Sequence, residues 1–186
     1  MATDEDLMGA VAGGDGAAFE ELYRRWERPV YQFLHRHTGG RDADDLAQET
    51  WVRVVRAARR FDRTRRFSTW LFQIAINLAR DAHRRSTPGG VADEHAVAPA
   101  VGAGSAPATE AGIDARRLLA ALPEPQRSVV VLRVLHDLSE DEVAEILDCP
   151  RGTVKSRMHH AMARLLALAT TSTGAAAQAA PRRVRR

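Results

Sequence analysis

The side chains that could do chemistry fall into three groups. The first is a run of hydrogen-bond donors. Arg151, Thr153, Lys155, Ser156, Arg157, His159, His160 and Arg164 lie between Pro150 and Ala169, a stretch without an acid. Donors at this density on one helix suit phosphate oxygens and base edges rather than bond-making. The second group is acidic: Asp42, Asp44, Asp45 and Glu49. These carboxylates suit a helix N-terminus, where the dipole favours them, and they could also hold a divalent ion, as in nucleotide hydrolases. The third group is histidine. His35, His37, His83 and His95 show neither metal-ligand spacing nor a paired nucleophile. No catalytic residue, metal or cofactor is therefore expected. Cys149 is the single cysteine, so no disulfide framework forms within one chain, and it reads as a small buried hydrophobe rather than a redox sensor.

The donors must be held by a helix, and the sequence supplies its frame. Ser139 followed three residues later by Glu142 is a capping box, so a helix starts there and ends near Leu147. Asp148-Cys149-Pro150-Arg151-Gly152 is a tight connection, and a second helix starts at Pro150 or Arg151 and runs to Leu168. Val154, Met158, Ala161 and Leu165 make its inward stripe, and Ala144 suits close crossing on the first helix. Glu140, Asp141, Glu142, Glu145 and Asp148 place the negative charge on or just after the first helix. This is a helix-turn-helix whose second helix can enter a major groove. The bland alternative, a solvated helical hairpin with a basic face, explains the charge but not the cap, the short turn and the small crossing residue together.

The rest of the chain divides at changes of composition. Residues 1–85 form a first block. Phe19, Leu22, Tyr23, Trp26, Val30, Phe33 and Leu34 recur at three and four residues, with Pro29 expected at a bend or first turn and Gly39-Gly40 ending the segment. A second helix is expected over 42–60 with apolar positions Leu46, Val52, Val54 and Val55, beside Trp51, and a third over 68–85. Residues 86–112 are rich in Pro, Gly, Ala and Ser and read as a flexible linker. Residues 113–169 form the second block, with helices over 113–122 and 126–136 before the helix-turn-helix, the helix over 126–136 taking its apolar content from Val129, Val130, Val131, Leu132, Val134 and Leu135. Residues 170–186 read as a disordered basic tail.

Composition narrows the class. Aromatics are only 5% of the 186 residues, so the core must come from Leu, Val, Ile and Ala, and an all-α protein of two small domains is expected. The net charge of +3 is weak evidence by itself; its segregation onto one helix is stronger. No stretch is apolar enough for membrane insertion, and Asp4, Glu5 and Asp6 are the opposite of a signal peptide, so the cytoplasm is the expected location.

The run from Leu138 to Arg157 resembles the region 4 helix-turn-helix of the extracytoplasmic-function (ECF) sigma factors of the sigma-70 family, and Leu122-Pro123-Glu124-Pro125-Gln126-Arg127 resembles its entry. Asp44-Asp45-Leu46-Ala47-Gln48-Glu49-Thr50-Trp51, then Phe61-Asp62, Phe67-Ser68-Thr69-Trp70-Leu71 and Ile74-Ala75-Ile76-Asn77 resemble successive parts of region 2. The resemblance implies a promoter-recognition subunit without catalysis of its own. Its partners would be RNA polymerase core enzyme, promoter DNA and an anti-sigma factor. Asp44, Asp45, Leu46, Gln48, Glu49 and Trp51 would dock on the clamp of the largest polymerase subunit. Arg63, Arg65, Arg66, Asn77, Arg80 and Arg84 would contact the −10 strand; their alternative is a solvated basic face. Phe61, Phe67 and Trp70 stand either as base platforms or as core. Arg151, Thr153, Lys155, Ser156, Arg157, His159 and His160 would read the −35 duplex.

Family members often carry Arg where this chain has His160 and Met162, which implies softer phosphate contact and an altered −35 preference. The rival reading is a helix-turn-helix regulator that acts without polymerase. It accounts for residues 113–169 and leaves the first block without a role.

Overall fold

The structure, a computed structural model, describes residues 1–86 and 110–178, and these are all-α. Eight helices follow in order: α1 (Asp4–Ala12), α2 (Gly16–Thr38), α3 (Ala43–Ala57), α4 (Phe67–Ser86), α5 (Glu110–Ala120), α6 (Glu124–Val130), α7 (Glu140–Leu147) and α8 (Arg151–Gln178). A 3-10 turn, Ala58–Arg60, extends α3, and a π turn, Val131–Leu135, extends α6.

Local sequence explains the ends. Thr3 and Asp6 close a capping box on α1. Asp15 Oδ1 accepts from the amides of Ala17 at 2.9 Å and Ala18 at 3.1 Å at the start of α2, and Gly39 ends that helix with φ 71°. Pro29 departs from expectation: it lies inside α2, which continues through it. A proline there removes one helical hydrogen bond. Buried Leu22, Val30, Phe33 and Leu34 on either side hold the helix together against that loss.

The main core is one cluster that spans both sequence blocks. Met8, Leu22, Phe33, Leu34, Phe67, Leu71, Phe72 and Ile76 come from the first, and Val129, Leu132, Val143, Ile146 and Val154 from the second. A smaller cluster of Leu122, Val130 and Ala161 ties α6 to α8. Packing of α7 across α4, and of α6 and the π turn on α2, joins the blocks.

Several apolar positions correct the sequence reading. Leu46, Trp51 and Val54 are buried on α3, but Val52 and Val55 are 40% and 49% exposed. Val134 and Leu135 are also exposed. They sit in the π turn, whose wider winding breaks the 3.6-residue register that would carry them inward. The α6 helix starts at Glu124, with Pro125 in its first turn where no amide donor is missed. Helix α8 continues past Ala169 to Gln178, while the expected linker and tail lie largely outside the described residues, at 87–109 and 179–186.

Candidate nucleic-acid interface

The helix-turn-helix forms as the capping box requires. Glu142 N donates to Ser139 Oγ at 3.2 Å, and Ser139 N donates to Glu142 Oε2 at 2.8 Å. Asp148 turns the chain with φ 50°, Cys149 N donates to Ala144 O at 3.1 Å, and Thr153 N donates to Pro150 O at 2.8 Å. Val154 and Ala161 are buried, Met158 and Leu165 half-buried, so the inward stripe of α8 is the expected one. Outward, Arg151, Lys155, Ser156, His159 and His160 are exposed, with Thr153 and Arg157 half-buried. Arg151 Nε donates to Glu140 Oε2 at 2.9 Å, and Lys155 Nζ lies 3.9 Å from the same oxygen. The Arg151 hydrogen bond, with the nearby Lys155 charge, holds the Glu140 carboxyl below its usual range. Met162 is half-exposed beside this face.

The loop between the 3-10 turn and α4 concentrates the other arginines. Asp62 Oδ1 shapes it by accepting from Thr64 N at 2.9 Å and Thr64 Oγ1 at 2.7 Å. Helix α1 braces it: Arg63 Nη2 donates to Asp6 Oδ1 at 2.7 Å, and Phe67 N donates to Glu5 Oε1 at 2.8 Å. Arg65 Nε donates to Glu145 Oε1 at 2.9 Å, and Arg66 donates to Glu142. Further along, Arg80 Nε lies 3.5 Å from Glu124 Oε1, Arg84 pairs with Asp81, and Asn77 is exposed. Phe67 is fully buried and belongs to the core, so it positions the loop and offers no platform. Phe61 and Trp70 are half-buried, with ring centroids 4.9 Å apart.

A third surface is the groove between α2 and α3. Tyr23, Glu27, Arg28 and Tyr31 line one wall, and Asp44, Ala47, Gln48 and Trp51 the other. Asp45 is exposed nearby, and Glu49 Oε1 accepts from Arg53 Nε at 3.1 Å. Leu46 is buried and belongs to the main core, not to the groove lining. Asp44 and Asp45 lie in the first turn of α3, where the dipole favours them, while Asp42 precedes the helix with φ 51° and makes no side-chain cap bond. The α2 wall was missed because its residues were read only for their apolar spacing. Tyr23, Glu27 and Tyr31 recur every four residues, a signal already present in the sequence.

Among the described residues, no group of three or more His, Cys, Asp or Glu side chains could hold a metal ion, and no helix is long and apolar enough to cross a membrane.

Comparison with known proteins covers both sequence blocks. Residues 22–88 match the family model for sigma-70 region 2, and residues 113–165 match that for sigma-70, region 4. The chain belongs to the ECF sigma factors of the sigma-70 family. The ECF RNA polymerase sigma factor SigW of Bacillus subtilis is 33% identical over 163 residues, covering 80% of this sigma factor and 87% of that one. The ECF RNA polymerase sigma-E factor of Escherichia coli K12 is 32% identical over 172 residues, covering 86% and 90%. CnrH, solved in complex with the cytosolic domain of CnrY, superposes with a TM-score of 0.70 at 26% identity, covering 90% of this chain and 97% of that one. The fold is shared also with the sigma factor RpoE of Bartonella quintana, solved with the anti-sigma factor NepR, at a TM-score of 0.65 and 24% identity over 82% and 96%. As a sigma factor, the chain works with RNA polymerase in promoter-directed transcription initiation. A stand-alone helix-turn-helix regulator would leave the region 2 match over residues 22–88 without an account.

Proposed function

We propose that this sigma factor brings polymerase core enzyme to its promoters through three surfaces. The groove walled by Tyr23, Tyr31, Asp44, Gln48 and Trp51 takes the clamp of the largest polymerase subunit. Its aromatic rings supply apolar area, and Asp44, Asp45 and Glu49 supply charge. The arginine loop and the exposed edge of α4 hold the −10 strand once it is single. Arg63, Arg65 and Arg66, with Asn77, Arg80 and Arg84, offer donors to phosphates and base edges, and the half-buried Phe61 and Trp70 offer aromatic surface for stacking. Helix α8 enters the −35 major groove, with Lys155, Ser156, Arg157, His159 and His160 toward bases and phosphates and Arg151 and Thr153 at its N-terminal end.

The observation that carries this reading is the exposed, acid-free donor face of α8 on a correctly capped helix-turn-helix. The chemistry of RNA synthesis is delegated: polymerase forms the phosphodiester bonds with its own metals, and this chain supplies no catalytic group. It acts in the cytoplasm, where polymerase is. An anti-sigma factor would regulate it by covering its DNA-reading and polymerase-docking surfaces. Run-off transcription with core enzyme over a promoter library tests the reading. Transcripts should require both core and this chain and should start at a shared pair of elements. Equal output without the chain would overturn it.

A further inference from the structure

Arg63 stands in the arginine loop, yet another element holds it. Its Nη2 donates to Asp6 Oδ1 of α1 at 2.7 Å, and Asp6 is itself fixed by the capping box with Thr3. Asp6 and Gly9 are three residues apart on α1, so they share one face of that helix. The guanidinium lies over Gly9. A Cβ at that position would stand 3.1 Å from Cζ, 3.1 Å from Nε and 3.2 Å from Nη1 of Arg63. Near-equal distances to atoms of one plane put that point above the face of the group, not at its edge. A methyl group there would have to displace the guanidinium, and glycine admits it. Glycine is a poor helix former, so its place inside α1 asks for a reason of this kind.

One face of the guanidinium is thus covered by α1, and one donor is used by Asp6. The side chain still keeps 58% of its exposure, which leaves the opposite face to solvent. The loop around it is anchored as well. Phe67 N donates to Glu5 Oε1 of the same helix at 2.8 Å, and Asp62 Oδ1 accepts from Thr64 N and Oγ1. An arginine that meets only phosphate uses its N–H edge. A planar cation seated flat on a backbone offers a face, and unpaired bases stack on such faces. Other flat surface in the loop is limited: Phe67 is fully buried, and Phe61 and Trp70 are half-buried against each other.

We propose that Arg63, seated on Gly9 and pinned by Asp6, is a stacking platform for one unpaired base of the −10 strand. Its ligand is the face of a nucleobase, and α1 is the positioning element that holds the platform. The proposal rests on the assignment of the arginine loop to the −10 strand.

The test uses holoenzyme assembled from core polymerase and the full chain, with core alone as the blank. The probe is a fluorescein-labelled single strand of about 12 nucleotides carrying the non-template −10 element of a promoter found by run-off transcription. A set of the same strands has one base at a time replaced by an abasic site. The abasic site keeps the phosphate and removes the face. Arg63→Lys keeps the charge and removes the plane. Stacking shows as coupling between the two changes.

At one position the abasic site should weaken binding about 5- to 20-fold with the wild-type chain and less than about 2-fold with Arg63→Lys. Gly9→Ala should shrink the same penalty while the urea midpoint stays at or above the wild-type value, since alanine favours the helix. Equal penalties at every position in wild type and Arg63→Lys would overturn the proposal; a uniform weakening of all strands by that variant would mark a phosphate contact instead. A full penalty in Gly9→Ala would overturn the seat on α1. If holoenzyme binds the strand no better than core alone, the strand-reading role of the loop itself falls, and the platform with it.

Discussion

Arg66, on the loop that leads into α4, donates to Glu142 of α7, a residue 76 positions later in the chain. Glu142 also accepts from the amide and hydroxyl of Ser139. One carboxylate thus caps the first helix of the helix-turn-helix and holds the loop of the other region. Glu142→Ala should remove both functions and lower stability by about 1–2 kcal/mol. Glu142→Gln should cost about half as much. Urea unfolding followed by circular dichroism distinguishes the two, and equal losses would show that the cap contributes nothing.

Acid should open the contact between the regions. Burial pushes His37 down to about 4, with Arg127, Arg80 and His83 adding to the effect and Glu124 opposing it. Burial likewise pushes His136 down to about 4, with Arg36 adding to it. Both rings are neutral in the closed form at pH 7. Above an ordinary histidine pKa of about 6.5, open and closed forms bind the same protons, and pH has no effect through these groups. As pH falls from about 6.5 to about 4, an exposed ring takes a proton that the buried ring refuses, so the closed form loses stability over that window and levels off below it. The ceiling is roughly 3 kcal/mol for His37, and less for His136, whose ring is partly in water. Scattering across pH 7.5 to 4.5 should show expansion. His136→Phe, which suits the Phe33 and Phe72 rings, should shrink the response; an unchanged profile would contradict the assignment.

Arg127 is buried, and two backbone carbonyls depend on it. Arg127→Ala would strand the oxygens of His37 and Leu122 and take one of the positive charges near Glu124, which keeps Arg80 at 3.5 Å. A loss of about 3–5 kcal/mol is expected, measured as the shift of the urea midpoint. A loss below 1 kcal/mol would mean water replaces the guanidinium.

The brace from α1 should matter to the loop rather than to α8. Glu5→Ala removes the acceptor for Phe67 N and should cost about 1 kcal/mol. Hydrogen exchange should quicken over residues 61–68 and not over 151–165. Uniform quickening would show that α1 supports the whole fold instead.

Lys155→Ala should weaken binding to promoter duplex across sequences and lower the slope of log affinity against log salt by about 1, the signature of one phosphate contact. His160→Arg should raise both affinity and slope. Unchanged promoter profile and slope in His160→Arg would remove the idea that this position softens −35 recognition.

The elements most legible in the sequence were those with local signatures. Ser139 and Glu142 announced α7 because a cap is written within four residues, and the acid-free run from Pro150 announced the donor face of α8. The two-block order was legible for the same reason. Other features depend on distant partners. Nothing near Arg65 or Arg66 in the chain points to Glu145 or Glu142, and nothing near Asp6 points to Arg63. Pro29 was misplaced because packing by Val30 and its neighbours overrides the preference of an isolated proline. Val134 and Leu135 were misplaced because a π turn shifts the helical period without a compositional mark.

Lys155 has a practical consequence. It is the sole lysine of the chain, and 62% of its side chain is exposed on α8. Apart from the chain's own terminal amine, amine-directed reagents meet a single address, in the N-terminal part of the helix assigned to the −35 groove. An acylating dye or an isotopic methyl tag placed there would report groove entry directly, with no cysteine introduced and no arginine disturbed.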